Sequence, residues 1–190
     1  MNVNVFLNTE RMILRRFTEA DADLLIALDA DPEVMRHITA GRPTAPDEIR
    51  QQWLPQVIQQ YEREQGLGFW AAIRRHDREF LGWFHLRPTG QRDQLEIGYR
   101  LKRSAWGQGY ATEGCRGLVH KALFEQGARQ VVASALTANA ASIRVMEKAG
   151  MKFQTTFLET RFPGLDQRAI RYYVDRSLLE TARRVYPAAA

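Results

Sequence analysis

The 190-residue chain has only one cysteine, Cys115, and it lacks long apolar runs. A single cysteine excludes a disulfide within the chain and fits a reducing compartment. No apolar stretch approaches the roughly 18 residues that a membrane-spanning helix needs. The first 20 residues carry charged side chains without the apolar centre of a secretory signal. We therefore expect a cytoplasmic protein that is not attached to a membrane.

Histidine is scarce, and charge of neither sign is concentrated. The four histidines lack the spacing of metal ligands, so we expect no metal site. Lysine and arginine number 27 against 22 acidic residues, which gives a net charge of +5 without any block of five like charges. This distribution does not favour direct nucleic-acid binding. A basic balance suits small anionic partners, and it is equally typical of an ordinary solvated surface.

Hydrophobic patterning predicts one α/β domain over residues 1–190. Apolar residues make up 45% of the chain, which is enough for one core. Strands are predicted at 12–17, 69–73, 80–86, 95–101, 131–136, 153–159 and 169–175. Helices are predicted at about 18–31, 44–64, 111–127 and 139–149, with an interruption at Pro55. A turn at Pro163-Gly164, a short closing helix and a frayed end at 187–190 complete the chain. This order indicates a sheet with helices on both faces.

The most informative motif is a glycine turn, Trp106-Gly-Gln-Gly-Tyr-Ala-Thr112. It joins a predicted strand to a predicted helix, so its backbone N–H groups lie at the positive end of that helix. Such a turn suits a phosphate or pyrophosphate, although it equally suits plain packing of helix against strand. A dinucleotide-binding turn would need a third glycine where Thr112 stands. The turn alone therefore leaves phosphate binding and packing open.

A second segment, Asn139-Ala-Ala-Ser142, begins the next predicted helix directly after a strand. Asn139 suits the N-cap, where a side-chain oxygen accepts a backbone hydrogen bond. Ser142 lies one turn later, and Gly150 follows the end of the helix. By itself this segment indicates only a capped helix.

In combination, the motifs resemble those of the GNAT superfamily of acetyl-CoA-dependent N-acetyltransferases. The resemblance lies in Glu96-Ile-Gly-Tyr99, the glycine turn, Asn139-x-x-Ser142 and Glu147-Lys-Ala-Gly-Met151. The opening Thr9-Glu-Arg-Met-Ile-Leu-Arg15, with Asp31-Pro32, is similar to the Rim-type branch, which includes ribosomal-protein N-terminal acetyltransferases.

The resemblance implies a GNAT-like single domain with a mixed, mostly antiparallel sheet of about seven strands. Residues 12–64 then form the first strand and the helices on the acceptor side. Residues 95–153 form the acetyl-CoA-binding core.

The resemblance also implies acetyl-CoA as co-substrate. In this family the turn holds the CoA pyrophosphate through backbone amides, here those of Trp106, Gly107, Gln108, Gly109, Tyr110, Ala111 and Thr112. The preceding strand pairs with the pantetheine arm, which implicates Ile97, Tyr99 and Leu101. Asn139 and Ser142 complete the implied contacts. This agrees with the general ability of a peptide-like arm to dock on an exposed strand edge.

Acetyl transfer to an amine needs a base for the ammonium proton, donors for the oxyanion and help for the departing thiolate. Glu96 and Glu159 are the candidate bases, acting directly or through water. Many GNAT members carry a general-acid tyrosine where this chain has Met146, which cannot donate a proton. Ser142 is the implied substitute, as in some Rim-type enzymes, and a water molecule is the alternative.

We therefore predict an acetyl-CoA:amine N-acetyltransferase that works by direct attack in a ternary complex. Transfer through Cys115, which we expect to lie in the core, is the alternative within the class. A non-catalytic acyl-CoA-binding or regulatory module is the alternative outside it. The expected acceptor is a small-molecule amine or a protein N-terminus, such as that of a ribosomal protein. The oligomeric state stays open between monomer and homodimer.

Overall fold

Eight strands form a single sheet in the spatial order β1-β2-β3-β4-β5-β6-β8-β7. The computed structural model describes residues 4–63, 66–161 and 164–185. The strands are β1 (Val5–Asn8), β2 (Met12–Arg15), β3 (Gly68–Arg74), β4 (Phe80–Pro88), β5 (Gln94–Leu101), β6 (Gln130–Leu136), β7 (Lys152–Leu158) and β8 (Arg168–Asp175). Neighbouring strands are antiparallel except β5 and β6, which run parallel. The predicted mixed, mostly antiparallel sheet is confirmed, and the strand beyond the predicted seven is β1.

The helices lie between strands where the hydrophobic period changes, except α7, which follows the last strand. They are α1 (Ala22–Asp29), α2 (Pro32–Met35), α3 (Pro46–Glu48), α4 (Leu54–Arg63), α5 (Tyr110–Phe124), α6 (Ala140–Lys148) and α7 (Arg176–Val185). A π-helical segment, Ile49–Trp53, joins α3 to α4. In it the Leu54 N–H donates to the Ile49 carbonyl, five residues back. This is the interruption expected at Pro55, because proline cannot continue the ordinary hydrogen-bond ladder.

The sheet separates two sets of helices. On one face, the Phe84 ring of β4 lies so close to α5 that a Cβ on Gly114 would be 2.3 Å from its Cζ. On the other face, Trp83 packs near Trp53 of the π-helical segment, with ring centroids 6.3 Å apart. We call these the α5 face and the Glu96 face, since Glu96 lies on the second. Helices on both faces are therefore confirmed.

The two parallel strands separate soon after they meet. Strands β5 and β6 pair only at Gln94–Gln130, Leu95–Val131 and Glu96–Val132. Beyond Glu96, β5 pairs with β4 alone, while β6 continues its pairing with β8. The result is a split in the sheet that begins beside Glu96, along the part of β5 that leads to the glycine turn.

In the described part of the chain, no helix is long and apolar enough to cross a membrane. Within the same residues, no group of three or more His, Cys, Asp or Glu side chains is placed to hold a metal ion. Some predictions fall outside the described residues: the helix end at Glu64, Pro163 of the predicted turn and the end at 187–190.

Candidate active site

The glycine turn forms the N-terminus of α5 at the open end of the split. Gly107 and Gly109 have φ of 72° and 84°, and Gly109 is the N-cap. The Glu113 N–H donates to the Gly109 carbonyl at 3.0 Å, so the helix ladder begins only there. The N–H groups of the three preceding helical residues consequently lack intrahelical acceptors. A Cβ on Gly107 would meet no atom within 4 Å, which leaves open space for an anion above the turn.

Arg11 fixes this turn, a role that the sequence did not suggest. Its Nε donates to Glu113 Oε2 at 2.7 Å, and its Nη1 donates to the Gln108 carbonyl at 2.9 Å. The guanidinium also lies 4.6 Å from the centre of the Tyr110 ring. Burial works against ionisation of Glu113, but hydrogen bonds from Thr9 and Arg11 outweigh it and lower the pKa of this carboxyl. A carboxylate that would repel a phosphate at this helix end is thus neutralised by a cation.

The side chains of Trp106 and Gln108 close the turn onto the chain before it. Trp106 Nε1 donates to the Leu101 carbonyl at 2.9 Å, and Gln108 Nε2 donates to the Ser104 carbonyl at 2.6 Å. Both residues are exposed, but the Trp106 N–H already donates to the Arg103 carbonyl at 3.1 Å. The turn is therefore held in shape by these side chains, and the Trp106 amide, which the resemblance assigns to the pyrophosphate, already has an acceptor within the chain.

The β5 edge between Ile97 and Leu101 faces the split. These residues pair with β4 on one side and have no β6 partner on the other. An unpaired strand edge offers N–H and C=O groups to an extended, amide-containing arm. The structure thus places Ile97, Tyr99 and Leu101 where the resemblance expects the pantetheine arm, and their binding role stays a prediction.

Helix α6 brings Ser142 to the same place. Asn139 caps the helix, with its Oδ1 accepting from the Ser142 N–H at 3.1 Å. The Ser142 Oγ lies 3.1 Å from Tyr99 Oη, within hydrogen-bond distance. Burial raises the pKa of Tyr99, so this phenol keeps its proton at neutral pH. Met146 is buried in the core and carries no proton for the reaction.

The Tyr99 phenol is a candidate that sequence reasoning missed, because only the Tyr99 backbone was considered. The sequence did carry a signal for this side chain. Tyr99 alternates with Ile97 and Leu101 along β5, and this pattern places its ring on the face that α5 and α6 cover. The structure then supplies the hydroxyl partner from α6.

Cys115 lies in the core on the buried side of α5, as the helical pattern predicts. Burial raises the pKa of its thiol to about 12. At neutral pH the side chain is therefore a thiol and not the thiolate that a nucleophilic role needs.

Both candidate bases line one pocket on the Glu96 face. Its lining includes Glu96, Glu159 and Val132 together with three arginines, Arg87, Arg161 and Arg171. We call this the Glu96 pocket. It lies where β5 and β6 begin to separate, so the structure brings together two carboxylates that are distant in the sequence.

The two carboxylates are held differently. Arg87 Nη2 donates to Glu96 Oε2 at 2.8 Å from the neighbouring strand. Arg161 contacts Glu159 through its backbone N–H and through its guanidinium. These bonds from Arg161 lower the pKa of Glu159 despite its burial. The lowered pKa makes Glu159 a weaker base than an ordinary glutamate.

His85 is buried close to Glu96. Its Nε2 is 3.9 Å from Glu96 Oε2, and in the described part of the chain neither ring nitrogen has a hydrogen-bond partner. Burial lowers the pKa of His85 well below its usual value, so the ring is neutral. A Cβ on Gly98 would lie 2.6 Å from the imidazole Cε1, so glycine is what lets this ring lie flat against β5.

A glycine turn at a helix N-terminus beside a split in the sheet is an arrangement that suits an acyl-CoA-dependent transferase. Comparison with known proteins specifies the family. Residues 11–152 match the model of the acetyltransferase (GNAT) domain, and the chain belongs to the GNAT family. The protein is an acetyl-CoA-dependent N-acetyltransferase with acetyl-CoA as its co-substrate.

Among known proteins, the FsC-acetyl coenzyme A-N(2)-transacetylase of Aspergillus fumigatus is 33% identical over 183 residues, covering 90% of this chain and 76% of that protein. The microcin C7 self-immunity acetyltransferase MccE, solved with acetyl-CoA and AMP, has a TM-score of 0.77 and 13% identity, over 92% of this chain and 97% of that one. RimL, a ribosomal L7/L12 α-N-protein acetyltransferase solved with coenzyme A, has a TM-score of 0.74 and 18% identity. The match covers 90% of this chain and 98% of that one. At these identities the two structures show the shared fold alone.

Proposed function

We propose that the protein acetylates a primary amine by direct attack on acetyl-CoA, with both substrates bound at once. The observation that carries the proposal is the split between β5 and β6. One end of it meets the open backbone amides of the glycine turn, and the other meets Glu96. A donor lying in the split would present its thioester between the Tyr99–Ser142 pair and the Glu96 pocket.

The donor is held mainly by backbone in this proposal. The amides of residues 107–112 bind the pyrophosphate at the positive end of α5. The edge from Ile97 to Leu101 pairs with the pantetheine amides as an added strand would. Asn139, whose Oδ1 already caps α6, contributes its remaining side-chain amide group.

Protonation of the leaving group is assigned to Ser142. The amine nitrogen attacks the thioester carbonyl carbon, the C–S bond then breaks, and the sulfur receives a proton. A thiolate with a pKa of about 8.5 needs only modest help. Ser142 donates this proton while Tyr99 supplies one to Ser142, which the 3.1 Å Oη–Oγ contact supports. The nitrogen loses its second proton to solvent as the amide forms, and a proton from solvent restores Tyr99. A water molecule in place of Ser142 remains the alternative.

Glu96 is the proposed base, acting directly or through water. It lies on β5 at the point where the split begins, and Arg87 fixes its carboxylate. Glu159 is the second candidate, disfavoured by the pKa that Arg161 lowers. The ammonium proton thus passes to Glu96 on the Glu96 face, while the thiolate is protonated on the α5 face.

The acceptor class at this stage is a primary amine, on a small molecule or on a protein N-terminus. The Rim-like opening of the sequence and the fold shared with RimL, whose name refers to a ribosomal protein, support the protein N-terminus. The relative whose name refers to an N(2)-transacetylase supports a small-molecule amine. The proposal places the reaction in the cytoplasm, consistent with a single buried thiol, and leaves the protein as a monomer or homodimer.

The test is to mix the protein with acetyl-CoA and a panel of amines, and to follow release of the free CoA thiol. We expect release that depends on the acceptor, with an N-acetyl product of the matching mass. Binding of acetyl-CoA without turnover on any acceptor would instead support a non-catalytic acyl-CoA-binding module.

A further inference from the structure

The Glu96 pocket has more positive than negative charge. Three guanidinium groups and two carboxylates line it. Arg87 is paired with Glu96, and Arg161 is paired with Glu159. One guanidinium, that of Arg171, therefore exceeds the available carboxylates. A pocket that holds a cationic amine acceptor would not be expected to keep this surplus without a purpose.

Arg171 is held in place by neutral groups. Its Nε lies 3.3 Å from Ser134 Oγ, and its guanidinium lies 4.9 Å from the centre of the Phe157 ring. Among the described residues, no carboxylate lies within 4.0 Å of it as an ion pair. Its charge reaches Glu159 only through space, where it adds to the effect of Arg161 in lowering the pKa of that carboxyl. The outer nitrogens of a half-buried guanidinium are thus available to an anion.

Arg87 also has donor capacity to spare. One of its terminal nitrogens holds Glu96, yet in the described part of the chain its buried Nε has no hydrogen-bond partner. A buried, unsatisfied guanidinium N–H is costly unless something completes its hydrogen bonding. Arg87 and Arg171 line the same pocket, and each therefore retains guanidinium N–H groups without an acceptor among the described residues.

We propose that the acceptor carries a carboxylate close to its primary amine, and that Arg171, assisted by Arg87, binds this carboxylate while the amine faces Glu96. The inference rests on the function proposed above and narrows its acceptor to small amino acids and related amino carboxylates. Guanidinium and carboxylate form strong, paired, charge-assisted hydrogen bonds. Polyamines, which carry only positive charge, would be repelled by the surplus.

Binding of the carboxylate leaves the proposed base in place. The acceptor carboxylate neutralises Arg171, while Glu96 remains close to the nitrogen as proton acceptor.

The test compares acceptors that differ only in the anionic group. Alanine, β-alanine and γ-aminobutyrate are each assayed as the free acid and as the carboxamide, with release of CoA thiol as the readout. Since each good guanidinium–carboxylate pair is charge-assisted, we expect kcat/KM to favour the best free acid over its amide by about tenfold or more. Three spacings are used because the carboxylate must reach Arg171 while the amine stays at Glu96.

Variants of Arg171 test whether this residue causes the preference for the free acid over the amide. Arg171→Met should abolish the preference by slowing the free acid without slowing the amide, and Arg171→Lys should keep part of it. Arg92→Met is the matched control, because Arg92 is 95% exposed on the β4–β5 hairpin and lies outside the pocket. A thermal melt of each variant shows that the fold is kept.

A binding measurement separates this inference from the proposed function. Calorimetry with the N-acetylated acids and amides needs no turnover, and we expect only the acids to bind in a manner that depends on Arg171. Turnover of amines with no preference for a carboxylate, or acids that bind equally to Arg171→Met, would overturn the inference and leave the proposed function standing. Absence of turnover on every amine, with acetyl-CoA bound, would overturn the proposed function itself.

Discussion

The glycine turn and the Glu96 pocket lie at opposite ends of one split, and they are built from different parts of the chain. The turn offers backbone amides, and its conformation comes from two glycines within a few residues. The pocket offers charged side chains from β4, β5, β8 and the connection after β7. In the turn, the side chains of Arg11, Trp106 and Gln108 support the backbone. In the pocket, the paired strands of the sheet position the charged side chains.

The difference teaches where donor and acceptor recognition are encoded. A CoA pyrophosphate presents the same chemistry whatever the acceptor, so a backbone cradle with fixed local sequence is sufficient for it. Acceptor amines vary, and side chains on several strands can change independently of one another. We therefore expect substitutions at the turn and at the pocket to separate into effects on donor binding and effects on acceptor turnover.

The largest expected effect is on the chemical step. Glu96→Gln keeps the shape of the side chain and an oxygen for Arg87, but removes the proposed base. We expect kcat to fall by about 10²–10⁴-fold, the usual contribution of a general base, with little change in the Kd of acetyl-CoA. Steady-state kinetics and calorimetry measure the two quantities.

Glu159→Gln is the matched control, since it removes the second carboxylate of the same pocket. We expect a smaller loss of kcat, because Arg161 already lowers the pKa of Glu159. A larger loss in Glu159→Gln than in Glu96→Gln would transfer the role of base to Glu159.

The next effect is on donor binding. Gly107→Trp should fill the open space above the turn and raise the Kd of acetyl-CoA by about 30-fold, which corresponds to loss of about 2 kcal/mol at a helix N-terminus. The activity that this variant retains should show an unchanged KM for the acceptor.

Gly127→Trp is a close control for this change. Gly127 has φ of 73° against 72° for Gly107, and a Cβ at either position meets no atom within 4 Å. Both variants therefore carry the same backbone strain, and only the one in the turn should weaken acetyl-CoA binding. Equal binding by the two variants would contradict the assignment of the pyrophosphate site.

A smaller effect is expected from the hydroxyl pair on the α5 face. Ser142→Ala and Tyr99→Phe should each lower kcat by about tenfold, and the double variant should be little worse than either. This non-additivity is the signature of two groups that act as one proton path. Full additivity would show that the two hydroxyls act independently and would contradict the shared proton path.

The smallest effect is expected at Cys115. Its thiol is buried with a pKa raised to about 12, so direct transfer does not involve it. Cys115→Ser should retain kcat within about twofold while losing about 1–3 kcal/mol of stability, since it buries a hydroxyl in an apolar site. Complete loss of activity in a folded variant, or an acetylated Cys115 seen by mass spectrometry, would instead support a ping-pong mechanism.

Much of the fold followed from local pattern, and the exceptions have physical causes. The alternation along β5 and the change to helical period after the glycine turn were sufficient to place these elements. Strand β1 was missed because it is a four-residue edge strand that pairs only with β2. Its stability comes from distant contacts, such as the stacking of Phe6 on Trp70 at 3.8 Å between ring centroids.

The sequence by itself determined the position of the glycine turn, the capped start of α6 and the chain's resemblance to the GNAT family. It could do so because a positive φ, an N-cap and a strand period are set by residues within a few positions of each other. The sequence also indicated Glu96 and Glu159 as candidate bases, but it did not indicate that they share one pocket.

Only the tertiary structure decided the rest. Arg11 meets Glu113 across 102 residues, and Tyr99 meets Ser142 across 43. The guanidinium of Arg171 exceeds the carboxylates around it only because β4, β5, β8 and the connection after β7 line one pocket. Charge pairing and hydroxyl contacts act through space over a few ångströms, so they become visible only when the sheet has set which side chains share a face.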